Sequence, residues 1–220
     1  MDYNPFDIFS SEYEEWFIEN ENLFQSELLA LKRVVPVGKK GIEIGIGSGI
    51  FADQLGIQYG IDPSANMLGY AKKRNLEVEK GFAEDLPYPD NSFDFAVFIT
   101  SICFIANPVK AINEANRILK PDGNIIIAII DKESTLGQIL EMGKNESKFY
   151  KDATFYSVPE IIELIENNGF VLTDVFQTLT ELRNEEVETP VKGFGKGSFV
   201  VIKGLKLTEN FVQNIYPNDG

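Results

Sequence analysis

The chain has 220 residues, 44% of them hydrophobic, and its 34 acidic against 20 basic residues give a net charge of −14. That is enough to bury one core with a modest extension, while so acidic a surface repels phosphate backbones and argues against a nucleic-acid partner. There is no histidine and one cysteine, Cys103, which excludes Ser-His-Asp triads, Cys-His pairs, histidine-ligated or cysteine-cluster metal sites and an internal disulfide.

The N-terminus, Met1-Asp2-Tyr3-Asn4-Pro5, lacks the basic-then-apolar pattern of a signal peptide. No run of about 18 uncharged apolar residues follows, so no membrane partner is expected and a cytoplasmic location is. Residues 10–34 read as helix: Ser10 or Ser11 can cap it, Glu12, Glu14 and Glu15 sit in its first turn, and Trp16, Phe17, Leu23, Phe24, Leu28, Leu31 and Val35 follow helical spacing. A break falls near Asn20–Asn22, and Pro36 ends the segment. Gly41–Gly45 is a short strand, Gly49–Leu55 a short helix, Ile57–Ile61 a second strand, Ser64–Asn75 a helix whose end carries the basic cluster Lys72-Lys73-Arg74, and Leu76–Lys80 a weak third strand. Phe93–Thr100 is a nearly continuous apolar run, as in a strand buried on both faces. A helix over Pro108–Leu119, a turn at Lys120–Gly123 and a further buried strand over Asn124–Ile130 come next. Ser157–Asn168 is a helix with Ser157 as cap, Glu160 at the capping-box position and Gly169 as stop. Phe170–Thr178 and Gly197–Lys203 complete the strands, with no helix between them, so the last is predicted antiparallel. Strands alternating with helices predict an α/β fold, a doubly wound and mostly parallel sheet. The expected plan is an N-terminal helical extension over 1–36, one ligand-binding domain over 37–204 and a tail over 205–220.

Gly41-Ile42-Glu43-Ile44-Gly45-Ile46-Gly47-Ser48-Gly49 places a glycine-rich turn between the first strand and the first helix of the domain. Such a turn lets a ligand approach the backbone, and amides at the helix start suit a polar or anionic group. The G-x-G-x-G spacing differs from the G-x-G-x-x-G of dinucleotide binders and favours a ligand without a pyrophosphate. Asp62 ends the second strand, 17 residues beyond Gly45; an acid there can accept two hydrogen bonds from a ribose diol, or it can serve only as a turn residue capping the next helix.

With these two motifs the chain resembles the class I S-adenosylmethionine-dependent methyltransferases, in particular the small-molecule group that includes the ubiquinone and menaquinone methyltransferases. Gly81-Phe82-Ala83-Glu84-Asp85-Leu86-Pro87-Tyr88-Pro89-Asp90-Asn91-Ser92-Phe93-Asp94 is similar to that family's third motif, and Arg117-Ile118-Leu119-Lys120-Pro121-Asp122-Gly123 to its turn before the fifth strand. The resemblance runs from about residue 37 to 131, more weakly to 203. It implies a Rossmann-like seven-stranded sheet of order 3-2-1-4-5-7-6 with the last strand antiparallel, S-adenosyl-L-methionine as cofactor with S-adenosyl-L-homocysteine as product, and a small-molecule methyl acceptor. It further implies that Glu43 supports the loop and the methionine end of the cofactor, that Gly45, Gly47 and Gly49 are the loop glycines, that Asp62 holds the ribose, that Ala83 and Glu84 meet the adenine edge, and that Thr100 lies beside the sulfonium. Phe82 replaces the family's frequent Asp, so Phe82 either packs on the adenine ring or joins the core. Ser101-Ile102-Cys103-Phe104-Ile105 stands where many relatives have a histidine, so no histidine base is available.

Ligands of open parallel sheets bind outside the carboxyl ends of the strands. The substrate rim is therefore expected at Ser101, Cys103 and Phe104 after the fourth strand, and beyond the fifth. Thr100, Asp131 and Tyr13 are the candidate catalytic groups. Asp131 is placed either to hold a cationic substrate or act as a base, or to cap the segment that follows. Cys103 either lines the transfer cavity or is a small core residue. Tyr13-Glu14-Glu15-Trp16-Phe17 resembles the opening helix that lids the pocket in relatives, with Trp16 on the rim; the alternative is a helix packing its aromatics on the domain. The stretch Glu181–Gly197 is either a mobile rim or a plain hairpin connection. Two other functions fit the same layered sheet, a non-catalytic cofactor-binding regulator and an NAD-dependent oxidoreductase. Monomer and homodimer stay equally open.

Overall fold

A computed structural model describes residues 5–207. Eight strands form one sheet in the order β3-β2-β1-β4-β5-β8-β6-β7: β1 Gly41–Ile44, β2 Tyr59–Asp62, β3 Glu77–Lys80, β4 Phe93–Ile99, β5 Leu119–Ile130, β6 Phe170–Thr178, β7 Val191–Lys192 and β8 Phe199–Lys206. The first five pair in parallel, and β8 runs antiparallel to both β5 and β6. β8 thus takes the place expected of the seventh strand. The unexpected β7 is a two-residue hairpin partner of β6 at the sheet edge.

The helices are α1 Pro5–Ile8, α2 Ser10–Glu19, α3 Glu21–Lys32, α4 Ile50–Leu55, α5 Ala65–Lys73, α6 Pro108–Ile118, α7 Thr135–Gly143 and α8 Val158–Glu166. Alternation along the strands divides them between two faces. Phe95, Val97 and Ile99 of β4 and Ile126 and Ala128 of β5 meet Phe24, Leu28 and Leu31 of α3, Phe51 and Ala52 of α4 and Leu68 and Ala71 of α5. Ala96, Phe98, Ile125, Ile127 and Ile129 meet Ala111, Ile112 and Ala115 of α6 and Val158, Ile161 and Ile165 of α8. A strand covered on both faces needs few polar positions, which is why the covered parts of β4 and β5, Phe95–Ile99 and Ile125–Ile130, read as apolar runs.

The predicted break in the first long helix falls at Asn20, whose φ of −117° and ψ of 43° separate α2 from α3. Ser157 and Glu160 form the predicted capping box on α8, and Gly169 follows at φ +86°. The turn predicted at Lys120–Gly123 is corrected: β5 already pairs at Leu119↔Phe93 and resumes at Asn124↔Phe95, so the residues between form a bulge, with Asp122 at φ +62°. β8 begins at Phe199 and ends at Lys206, later at both ends than the predicted strand; the tail from 208 onward lies outside the described residues. No helix among the described residues is long and apolar enough to cross a membrane.

Candidate functional site

The carboxyl ends of β1, β2 and β4 converge on the glycine turn. Gly45 follows β1 at φ +76°, a conformation that penalises any side chain. A Cβ there would also overlap the Cβ of Ser101, whose hydroxyl donates to the Ile44 carbonyl at 2.7 Å. Ser101 thus locks the turn from below. The Gly47 amide, at φ +53°, donates to Asp62 Oδ2 at 2.8 Å, and Gly49 at φ +77° begins α4.

Two buried carboxylates face this turn. Asp62 Oδ1 accepts from the Ser64 amide at 2.8 Å, so two of its roughly four lone-pair positions are used and two are left. Burial raises its pKa against those two amides. Glu43 on β1 is 2% exposed and accepts from the Ala52 amide, while its Oε2 has no partner. Burial first, then the charge of Asp62, pushes Glu43 well above the usual carboxylate range. An unsatisfied buried acid, a half-used acid and an open glycine turn suit a ligand carrying both a cationic group and a diol.

On the third side, Ala83 is buried and Phe82 is 64% exposed. The core alternative for Phe82 is therefore corrected, and its ring is free to cover a ligand. Glu84 Oε1 accepts from the Asn107 amide at 3.1 Å, at the start of α6. The loop carrying these residues is pinned by Arg117, which donates to the carbonyls of Leu86 and Tyr88 and pairs with Glu114 and Asp90.

Thr100 follows β4 at φ +47°, its amide donating to the Ala128 carbonyl at 2.9 Å. It lines a narrow cavity with Cys103, Ile129, Tyr150, Phe155 and Tyr156. The Cys103 thiol contacts the Thr100 carbonyl at 3.2 Å, and burial pushes it up to about 12, so it stays protonated. Asp131 is 3% exposed; its Oδ1 accepts from the Glu133 amide and its carbonyl from Ser134, the cap of α7. Asp131 therefore shapes the turn before α7, while the cap itself is Ser134, whose hydroxyl accepts from the Gly137 amide at 3.0 Å.

The N-terminal helices cross over this end of the sheet. Asp7 accepts from the Ser64 hydroxyl at 2.6 Å and from the Asn66 amide at 3.1 Å, tying α1 to the start of α5 beside Asp62. Arg74 joins Glu14 of α2 to the carbonyl of Ser48 in the glycine turn. Tyr13 is half-buried against Phe6, Phe17 and Phe149, whereas Trp16, 41% exposed, lies edge-on to Phe17. The segment after α7 closes from the other side: Phe149 meets Phe6 at 5.3 Å between ring centroids, Tyr150 stacks on Phe104 at 5.9 Å, and Lys148 pairs with Glu12. Asp7, Phe149 and Tyr150 were absent from the sequence expectations, and Arg74 entered them with no part in the site. Asp7 and Phe149–Tyr150 lie outside every predicted element, and Arg74 reads simply as a helix-end cation.

A doubly wound sheet of this strand order, with a glycine turn after β1 and an acid ending β2, defines the S-adenosylmethionine-binding class of α/β domains. Residues 42–127 match the methyltransferase domain family. A Thermotoga maritima S-adenosylmethionine-dependent methyltransferase, described as a possible histamine N-methyltransferase, is 45% identical over 92% of this chain and 98% of its own, with a TM-score of 0.89. An uncharacterised Methanocaldococcus jannaschii protein is 44% identical over 93% of this chain and its full length. The ubiquinone/menaquinone biosynthesis C-methyltransferase of Rickettsia akari is 35% identical over 49% of this chain and 43% of its own. The chain belongs to the class I S-adenosylmethionine-dependent methyltransferases.

Proposed function

We propose that this protein transfers a methyl group from S-adenosylmethionine to the nitrogen of a small amine by in-line displacement. The observation that carries the small-molecule part is the roof that α1, α2 and residues 148–150 build over the strand ends, which covers the place where an acceptor would enter. The amine part rests on the aromatic cluster of Phe6, Tyr13, Phe104, Phe149 and Tyr150, the last of which lines the cavity beside Thr100 and suits a cation, and on the description of the Thermotoga relative.

In this reading Glu43 takes the ammonium end of the cofactor, Asp62 the ribose diol, the amides of the Gly45–Gly49 turn the groups between them, and Phe82, Ala83 and Glu84 the adenine edge. The cofactor supplies an already activated methyl group, so the chain need only align the acceptor and exclude water. Thr100 and Cys103 form the floor beside the reacting centre. The helices α1 and α2 act as the lid, with Trp16 on its outer rim, and the unreactive Cys103 thiol suits the reducing cytoplasm.

The test is calorimetric titration with S-adenosylhomocysteine, with NAD as control, followed by transfer of labelled methyl to histamine. Micromolar binding that is lost in Asp62→Ala, no NAD binding, and label on the amine are the expected results. Preference for NAD would overturn the cofactor assignment. Cofactor binding with no transfer to any small amine would overturn the acceptor assignment.

A further inference from the structure

We infer that Glu27 of α3 is the carboxylate that recognises the acceptor, holding the ammonium group of a small amine. This rests on the amine reading above and supplies the residue that would enforce it. Glu27 occupies the apolar register of its helix, three residues from Phe24 and four from Leu31, and is 6% exposed. Acidic side chains so deeply buried are ordinarily paired. Among the described residues no hydrogen bond or ion pair reaches the Glu27 carboxylate, and burial alone moves it up to about 8. Its neighbour Ser26 shows the contrast: that hydroxyl donates to Asn22 and accepts from the Glu188 amide.

Two phenols lie within electrostatic range of Glu27, Tyr13 from α2 and Tyr150 from the segment after α7, and its charge helps raise both. They connect Glu27 to the rest of the site. Tyr13 is also in range of Glu43 and Asp62, and Tyr150 lines the cavity with Thr100 and Cys103. Helix α4 and strands β6 and β8 also pack on α3 but contribute no charge that shifts Glu27. An unpaired buried carboxylate binds an ammonium and rejects a neutral isostere, because the isostere leaves the charge buried and alone.

The experiment is calorimetry on the full chain saturated with S-adenosylhomocysteine, at pH 7, in two buffers of different ionisation heat. The probes are 2-phenylethylamine and its neutral isostere 2-phenylethanol. Wild type is expected to bind the amine at least about tenfold more tightly than the alcohol. Close to one proton should be released per amine bound, since Glu27 is protonated at pH 7 and must ionise to pair. Glu27→Gln should lose that preference and that proton while binding S-adenosylhomocysteine as the wild type does. Glu27→Asp, which keeps the charge on a shorter stem, should retain the proton release with weaker affinity. Equal amine affinity and equal proton release in wild type and Glu27→Gln would overturn the role of Glu27 and leave the amine reading intact. No amine binding by wild type would overturn the amine reading itself and the inference with it.

Discussion

Replacing Glu27 by glutamine should stabilise the ligand-free protein, and the gain should grow with pH. Burial raises this carboxyl from an ordinary 4.5 to about 8, so the folded chain keeps a proton that the unfolded chain releases. Below about pH 4.5 the group is neutral in both states and the two proteins should match. Between about pH 4.5 and 8 the unfolded state binds fewer protons, and wild-type stability falls as pH rises. Above about 8 the group is ionised in both states and the loss levels off. At about 1.36 kcal/mol per pH unit, the full effect is at most about 5 kcal/mol, less whatever water admitted to the cleft screens. For a chain of this length that corresponds to about 10 °C in Tm. Thermal unfolding of both proteins from pH 4.5 to 9 measures the gap directly. A gap that does not change with pH, or a glutamine variant less stable at pH 9, would refute the reasoning, since either means that the carboxylate has a partner in the fold.

Three further outcomes follow from the site. Gly45→Ala forces a side chain into φ +76° and against Ser101; it should cost about 2 kcal/mol or more of stability in denaturant unfolding and abolish S-adenosylhomocysteine binding. Binding of S-adenosylhomocysteine should strengthen as pH rises above the ordinary carboxylate range, because its ammonium favours ionised Glu43 and both buried acids are held protonated above their usual values without it; titration across pH would show a flat affinity if Glu43 does not meet the ligand. Asp7→Ala removes the acceptor for Ser64 and Asn66, so the amides of α1 should exchange hydrogen faster while α3, which belongs to the core, does not; equal protection of α1 in both proteins would rule out that tether.

Most of the fold could be read from the sequence because its signals were local. β4 and β5 declared themselves as buried strands by the apolar runs Phe95–Ile99 and Ile125–Ile130, α8 by Ser157 and Glu160, and the α2–α3 break by the polar run around Asn20. What escaped depends on pairing between distant segments. β7 is two residues that become a strand only by lying beside Phe176 and Gln177. The Pro121-Asp122-Gly123 stretch reads as a turn, yet parallel pairing on both sides makes it a bulge. Helix α7 was not anticipated, and its start is set by Ser134, whose hydroxyl bonds back to the Asp131 carbonyl.

That Glu43, the glycines and Asp62 would converge was legible for the same reason: they sit at two strand ends whose spacing is fixed by one βαβ unit. The proposed acceptor side draws on α1, α2, α3 and the segment after α7, and no spacing rule links residues 6, 13, 27 and 150. One local anomaly was nevertheless present, a glutamate between Phe24 and Leu28 on the apolar stripe of a helix. A stripe that folds for stability alone would carry a leucine there. By lacking a partner, Glu27 weakens the fold, and a residue retained at that cost is expected where function opposes stability. The pH dependence of folding and the proton released on amine binding are thus two measurements of the same buried charge, one made by unfolding around it and one by supplying its partner.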